Sequence, residues 1–496
     1  MQRFMLSSIL VWLSLAVGAC QSALHTEVET ALANPQHSGI RWGILIADMD
    51  GTELFASRAD DRFTPASNTK IVTTMATYHH FDALADDALN PGTRVYLEPA
   101  EDGDLPALVL RGGGDAMLQD HPDCQTQCLA ALADDVAATG LNDVAALIGD
   151  DTLFPFERWG PGWSQEDLQY YFGTAVSALS VNDNLVWLEI RPGPEPGAPA
   201  IISWQTGDDY FTLENSVQTT APEVDRALRV ERHPGATTVR VYGTVPASAD
   251  PIRFGLAVDD PAAIATMRFA RLLRARGIEI RTVSTRHRPI GLIDEAPEPE
   301  DAVQSTMAKR NRLPDQPIAV LPGAPLPESL KRISKDSQNL HAEIALRRLG
   351  LLAGTGSRDF GLAVLSAMAD EAQLADAEMT LHGGSGMSIY NRVSPRGMVK
   401  LLAFAAQQSW FETWLADQPI GGVDGSLQRR FVGTPLEGKI FAKTGTLNGA
   451  NALSGVMTAA SGRRLLFSII ANDRPPATRS AVPEMDAALV AIAEHY

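Results

Sequence analysis

Lysine is scarce in this chain, with seven residues against 34 arginines. Where any positive charge will serve, the sequence uses Arg, so each retained Lys raises a question. Positive charge as a whole is also short: 41 bases face 60 acids, a net charge of −19. That argues against a nucleic-acid partner, which would need a basic face. Cysteine is limited to three residues, and no second Cys or His pair has the spacing of a metal site. HExxH, P-loop and Rossmann fingerprints are missing, which removes the common zinc-protease, nucleotide and dinucleotide chemistries. The apolar stretch "FMLSSILVWLSLAVGA" at residues 4–19 is too short to span a bilayer. What remains is a globular composition, 45% apolar and 20% charged, in a chain of 496 residues that exceeds one compact core.

The N-terminus reads as a targeting segment. Arg3 supplies a small positive region, the apolar stretch follows, and "VGAC" places Gly18 and Ala19 directly before Cys20. This is the pattern of a lipoprotein signal over residues 1–20, with Cys20 becoming the lipidated first residue. Gln21 after it suits sorting to the outer membrane of a Gram-negative cell, facing the periplasm. The alternative is an ordinary secretory peptide with an incidental Cys. Cys124 and Cys128 lie four apart at the start of a predicted helix. An oxidising compartment would allow them to pair, although two residues on one helix make a tight bridge.

The two ends of the chain match each other. Residues 23–35 read as a helix, and "GIRWGILIADMDG" followed by "TELFASRADDRF" reads as a hairpin turning at Asp50-Gly51. Near the end, "GKIFAKTGTL", "NALSGVMTAAS" and "RRLLFSIIAND" read as three strands before an amphipathic closing helix. Two strands from the front and three from the back would make one antiparallel sheet covered by the terminal helices. An α/β domain assembled from both ends implies an insertion. The middle fits, with short strands punctuated by turn clusters such as "RPGPEPGAP" and "ERHPGATT". The expected division is 21–92 with 260–496 as one domain, and 93–259 as an inserted β-rich region of two small domains.

Three short motifs stand in order along this frame: Ser67-Asn68-Thr69-Lys70, Ser337-Gln338-Asn339 and Lys443-Thr444-Gly445. Of the seven lysines only Lys70 follows a Ser by three residues. A helix opening at Ser67 puts both side chains on one face, a turn apart. Serine is inert at neutral pH without a base. Lys differs from Arg in that burial can strip its proton, so a desolvated Lys can act as that base. S-x-x-K, an S-x-N element and K-T-G together are the combination found in penicillin-binding proteins and β-lactamases.

With these motifs the sequence resembles the low-molecular-mass class C penicillin-binding proteins, the D-alanyl-D-alanine carboxypeptidases/endopeptidases. "LRGGGDAML" (110–118), "GPGWSQEDLQYYFGTAVSALSVNDN" (160–184), "GGVDGSLQRRF" (421–431) and "AKTGTLNGANALSG" (442–455) also look like that family. So does the wide gap between Ser67 and Ser337. The resemblance implies an α/β fold of the serine β-lactamase/DD-transpeptidase type: a five-stranded antiparallel sheet with flanking helices, an all-helical part and an inserted β-rich region. It implies acyl transfer through a Ser67 acyl-enzyme on peptidoglycan peptides, covalent inhibition by β-lactams, and no metal or organic cofactor. In this reading Ser67 is the nucleophile and Lys70 its base, with a neighbouring Lys443 depressing the Lys70 pKa by like-charge repulsion. Ser337 relays the proton to the leaving amine, and Asn339 holds the substrate peptide. Thr444 and the Lys443 charge suit the terminal carboxylate, and Gly445 completes that motif. Backbone N–H groups of Ser67 and Thr446 would form the oxyanion hole.

The resemblance also implies a pocket for the third-residue side chain of the peptide. Asp167 and Phe172 match the family spacing of an acid and an aromatic five positions on, after "PGW". Asp167 would bind the ammonium of diaminopimelic acid. The plainer reading is a solvated acid beside a core aromatic. One loop departs from the family's Asp-Gly-Ser-Gly-Leu-Ser-Arg: here Gly383 stands for the Asp and Ile389 for the Arg, so a cation that could read acidic groups on the substrate is missing. Two other functions fit the scaffold, a β-lactamase or esterase and a cell-wall-binding protein that has lost turnover.

Overall fold

The computed structural model describes residues 23–86, 89–100, 104–205, 210–290, 314, 316–475 and 478–496. Cys20 and the segment expected to act in targeting lie outside the described residues. The chain divides into two compact units.

The first unit comprises the chain up to His79, Leu330–Gln338 and Leu365–Tyr496. Its centre is a five-stranded sheet in the order Ile440–Leu447, Ala450–Thr458, Arg464–Asn472, Arg41–Asp48, Glu53–Ser57, every pair antiparallel. The register from Arg41↔Asn472 to Asp48↔Leu465 joins the two ends of the chain, as the alternating patterns predict. Buried runs such as Ile44–Ala47 in the strand Arg41–Asp48 need cover on both faces. Leu24 and Val28 of the helix at 23–32, with Met485, Leu489 and Ile492 of Val482–His495, supply one side. The helix Pro395–Ala406 packs on Arg41–Asp48 and Arg464–Asn472.

The second unit comprises His80–Ser329 and Asn339–Val364. Its described residues form three sheets. The largest runs Glu279–Arg288, Asp143–Pro155, Ala107–Arg111, Thr93–Glu98, Ala319–Leu321. Two three-stranded sheets are built from Ile252–Ala257, Leu185–Arg191, Ile201–Trp204, and from Thr212–Thr220, Thr238–Pro246, Ala227–Glu231. This corrects the expected end of the insertion at residue 259. Glu279–Arg288 pairs in parallel with Asp143–Pro155, and Ala319–Leu321 pairs with Thr93–Glu98. The physical reason is an edge strand. Glu279–Arg288 buries only Ile280 and carries no apolar alternation that would announce a strand of this sheet.

Cys124 and Cys128 form a disulfide with Cα atoms 5.7 Å apart, within the ordinary range. Cys128 is the N-cap of the helix Leu129–Ala138, and Cys124 sits in the turn before it. The bridge therefore avoids the strain of two cysteines on one helix.

Candidate active site

In the first unit, the segment Thr64–Lys70 makes a 3-10 turn, Ala66–Asn68, that runs into the helix Thr69–His79. Ala66 has φ 49°, a left-handed conformation that non-glycine residues seldom adopt. The turn is held from several sides. Asn68 Nδ2 donates to Ser454 Oγ at 2.7 Å, and Ser454 Oγ donates to Ser468 Oγ at 2.9 Å, a buried polar ladder into the sheet. The turn packs on the strand Ile440–Leu447 closely enough that a Cβ at Gly445 would lie 2.6 Å from Pro65 O. A Cβ at Gly386 would meet Ala66 O at 2.0 Å. Both positions need glycine.

The result is one exposed hydroxyl on a rigid mount. Ser67 is partly exposed while Asn68, Thr69 and Lys70 are buried. Lys70 is 0% exposed, with Nζ 2.9 Å from Ser67 Oγ and 2.6 Å from Ser385 O. Thr73 Oγ1 donates to Gly384 O at 2.8 Å. The divergent loop at 383–389 thus wraps the helix that Ser67 leads into. Gly383 is buried, and Ile389 is 52% exposed.

A second serine–lysine pair lies in the same unit. Ser337 has φ 59° and is partly exposed. Lys443 Nζ donates to Ser337 Oγ at 2.9 Å and to Thr444 O at 3.0 Å. Burial pushes the Lys443 ammonium down to about 7. Near neutral pH this group can both give and take a proton, which Arg cannot do. Lys335 makes the contrast. It too is buried, but both Asp424 carboxylate oxygens accept from it, at 2.8 and 2.7 Å. Thr444 Oγ1 lies 2.7 Å from Ser426 Oγ, and Thr446 is exposed. Ser426 is a contact that sequence reasoning missed. The only pointer was the stretch "GGVDGSLQRRF".

The remaining predicted residues belong to the second unit. Asn339 opens the helix Asn339–Ala353, and its Nδ2 donates to Phe172 O at 2.8 Å. The Phe172 ring lies 5.5 Å from that of Tyr170 and 5.2 Å from that of Tyr171. Asp167 sits in the 3-10 turn Gln165–Gln169, half-buried, and its main-chain O accepts from Tyr170 N at 3.1 Å. Burial, and then the neighbouring Glu166 charge, hold the Asp167 carboxyl above the usual range. No cation pairs with it among the described residues. His341, also missed, is fully buried between Asp183 Oδ1 at 2.9 Å and Ser329 Oγ at 3.0 Å. Among the described residues no cluster of His, Cys, Asp or Glu is arranged to hold a metal ion.

Comparison with known proteins gives this geometry its setting. The D-alanyl-D-alanine carboxypeptidase of Actinomadura sp. (strain R39) is 32% identical, over 97% of this chain and 86% of that protein. D-alanyl-D-alanine carboxypeptidase DacB of Haemophilus influenzae is 24% identical, over 85% of this chain and 81% of that one. The crystal structure of penicillin binding protein 4 from Haemophilus influenzae has the same fold, with a TM-score of 0.76 at 22% identity over 93% of this chain and 98% of that chain. Its complex with a β-lactam has a TM-score of 0.70 at 21% identity, with the same coverage. The sequence profile of the D-Ala-D-Ala carboxypeptidase 3 (S13) family matches residues 24–291 and 298–496. The chain therefore belongs to the D-Ala-D-Ala carboxypeptidase 3 (S13) family.

Proposed function

We propose that the protein is a serine-type D-Ala-D-Ala carboxypeptidase acting on peptidoglycan peptides, that it also cleaves cross-links as an endopeptidase, and that β-lactams acylate it. The observation that carries the reading is the Ser67 hydroxyl, accessible on a rigid turn and 2.9 Å from the amine of a fully buried lysine. Ser67 Oγ attacks the carbonyl carbon of the penultimate D-Ala while its proton passes to Lys70 Nζ. The backbone N–H groups of Ser67 and Thr446 stabilise the oxyanion; in the best-measured enzyme, one such donor is worth about 2.7–4 kcal/mol. The C–N bond then breaks. The departing amine takes its proton through Ser337, which Lys443 resupplies. Water then attacks the ester carbonyl, its proton returning through Ser337 to Lys443, and the C–O bond breaks as Ser67 takes back the proton held on Lys70.

Asn339 holds the peptide, and Lys443 with Thr444 binds its terminal carboxylate. Arrival of that carboxylate favours the charged form of Lys443. Asp167 and Phe172 form the pocket for the third-residue side chain. The partly desolvated Asp167 carboxylate, with no cation beside it among the described residues, suits an incoming ammonium. Incubation with purified muropeptides, followed by mass analysis, should show pentapeptide stems losing one alanine. Unchanged pentapeptides would remove this reading.

The mature chain is proposed to begin at a lipidated Cys20 and to reside in the periplasm, anchored to the outer membrane of a Gram-negative cell. The support is the apolar run ending in "VGAC", and the Cys124–Cys128 bridge suits an oxidising compartment. Cys20→Ala should shift the protein from membrane to soluble fractions. A wild-type protein already soluble, starting at another residue, would contradict the anchor.

A further inference from the structure

The loop from Gln418 to Leu427 lies beside the strand that carries Lys443, and it is fixed at both ends. On one side it pairs with that strand: Ala442 N donates to Pro419 O at 3.0 Å, and Gly421 N donates to Ile440 O at 3.0 Å. On the other side it is clamped to the segment that carries Ser337. Lys335 Nζ donates to Gln418 O at 2.6 Å, to Asp424 Oδ1 at 2.8 Å and to Asp424 Oδ2 at 2.7 Å. These use all three ammonium hydrogens. This explains a Lys in an arginine-rich chain without any catalytic role: three acceptors converge on one point, where a planar guanidinium would not fit. Asp424 Oδ1 also accepts from Ile420 N at 3.0 Å.

Gly425 follows with φ +56°, and a Cβ there would lie 2.9 Å from Lys335 O. The loop is therefore pressed against the backbone two residues before Ser337. Leu427 is buried in the core and pins the far side. Between these anchors a single side chain, Ser426, is exposed and reaches the K-T-G motif, with Oγ 2.7 Å from Thr444 Oγ1.

Two hydroxyls have two hydrogens, and the bond between them uses one. The second hydrogen remains for an anion, and the donating hydroxyl is strengthened by the bond it accepts. We propose that Ser426 is the second hydroxyl of the carboxylate site, coupled to Thr444 so that one hydroxyl donates to the other and the remaining hydrogen of the pair is donated to the carboxylate beside the scissile bond, and that the Lys335–Asp424 ion pair is the device that positions it. The proposal rests on the carboxypeptidase reading given above. It adds a specificity residue: Ser426 lets the enzyme tell a substrate with a free carboxylate from one without.

The test compares acylation rates for benzylpenicillin and for its methyl ester, which lacks the charge. The ratio of acid to ester rates in Ser426→Ala should fall about tenfold below wild type, the loss expected for one hydrogen bond to a charged group. Ser426→Thr, which keeps the hydroxyl, should restore the ratio. A Ser426→Ala ratio equal to wild type overturns the proposal, and so does a parallel fall of both rates, which would mark a structural role. These outcomes leave the carboxypeptidase reading standing. Acylation of the wild type by neither compound would remove that reading and this inference together.

Discussion

Lys70→Arg should give a folded protein that is acylated by penicillin roughly 10²–10⁴-fold more slowly than the wild type, the range for loss of general-base assistance. Arginine keeps the charge and can still donate to Ser385 O, which lies 2.6 Å from Lys70 Nζ. What it cannot do near neutral pH is give up a proton and then accept one from Ser67. The substitution therefore separates two accounts of Lys70, a buried cation that holds the loop at 383–389 and a base. Thermal melting checks the fold, and stopped-flow acylation reads the rate. A wild-type rate in a protein of wild-type stability would end the base assignment. Ser67→Ala should show no covalent labelling at any time, because it removes the hydroxyl that lies 2.9 Å from Lys70 Nζ.

Asp167→Ala should lower kcat/KM for peptides containing diaminopimelic acid by about 10–100-fold, the scale of one hydrogen bond to a charged group. Acylation by a simple penicillin, which carries no such side chain, should fall far less. The motivation is a half-buried carboxylate with no cation beside it among the described residues, held above its usual pKa by burial. Such a group costs stability unless a ligand repays the desolvation. Asp167→Asn keeps the shape and removes the charge, so it should resemble Ala on the diaminopimelate peptide. Equal losses on both substrates would remove the pocket from the account.

The sheet was legible because its strands obey simple rules. Alternation and short turns marked the five strands, and a sheet with strands from both ends requires an insertion between them. The Ser67–Lys70 pair was legible because helical pitch brings residues three apart onto one face. The end of the insertion was not. Glu279–Arg288 is a polar edge strand whose partner, Asp143–Pro155, lies far back in the chain, and local pattern carries no trace of such pairing. Burial was equally hidden. Nothing in "AKTGTL" says that Lys443 is desolvated enough to titrate near 7, or that Lys335, in the same chain segment as Ser337, is fully paired with Asp424 instead. The bond from Asn339 to Phe172 O spans 167 positions and depends on tertiary packing alone. The run of left-handed residues Asn182, Asp183 and Asn184 was partly foreseeable, since Asn and Asp tolerate that conformation. Its use in presenting Asp183 to the buried His341 was not.

The atom that penicillin acylates decides the mechanism. Trypsin cuts after Arg62 and Lys70, and the peptide Phe63–Lys70, "FTPASNTK", holds a single serine. Mass spectrometry after penicillin treatment should find this peptide heavier by the mass of one penicillin, with fragmentation placing the adduct on Ser67. An adduct on any other residue, or an unmodified peptide after prolonged exposure, would contradict it.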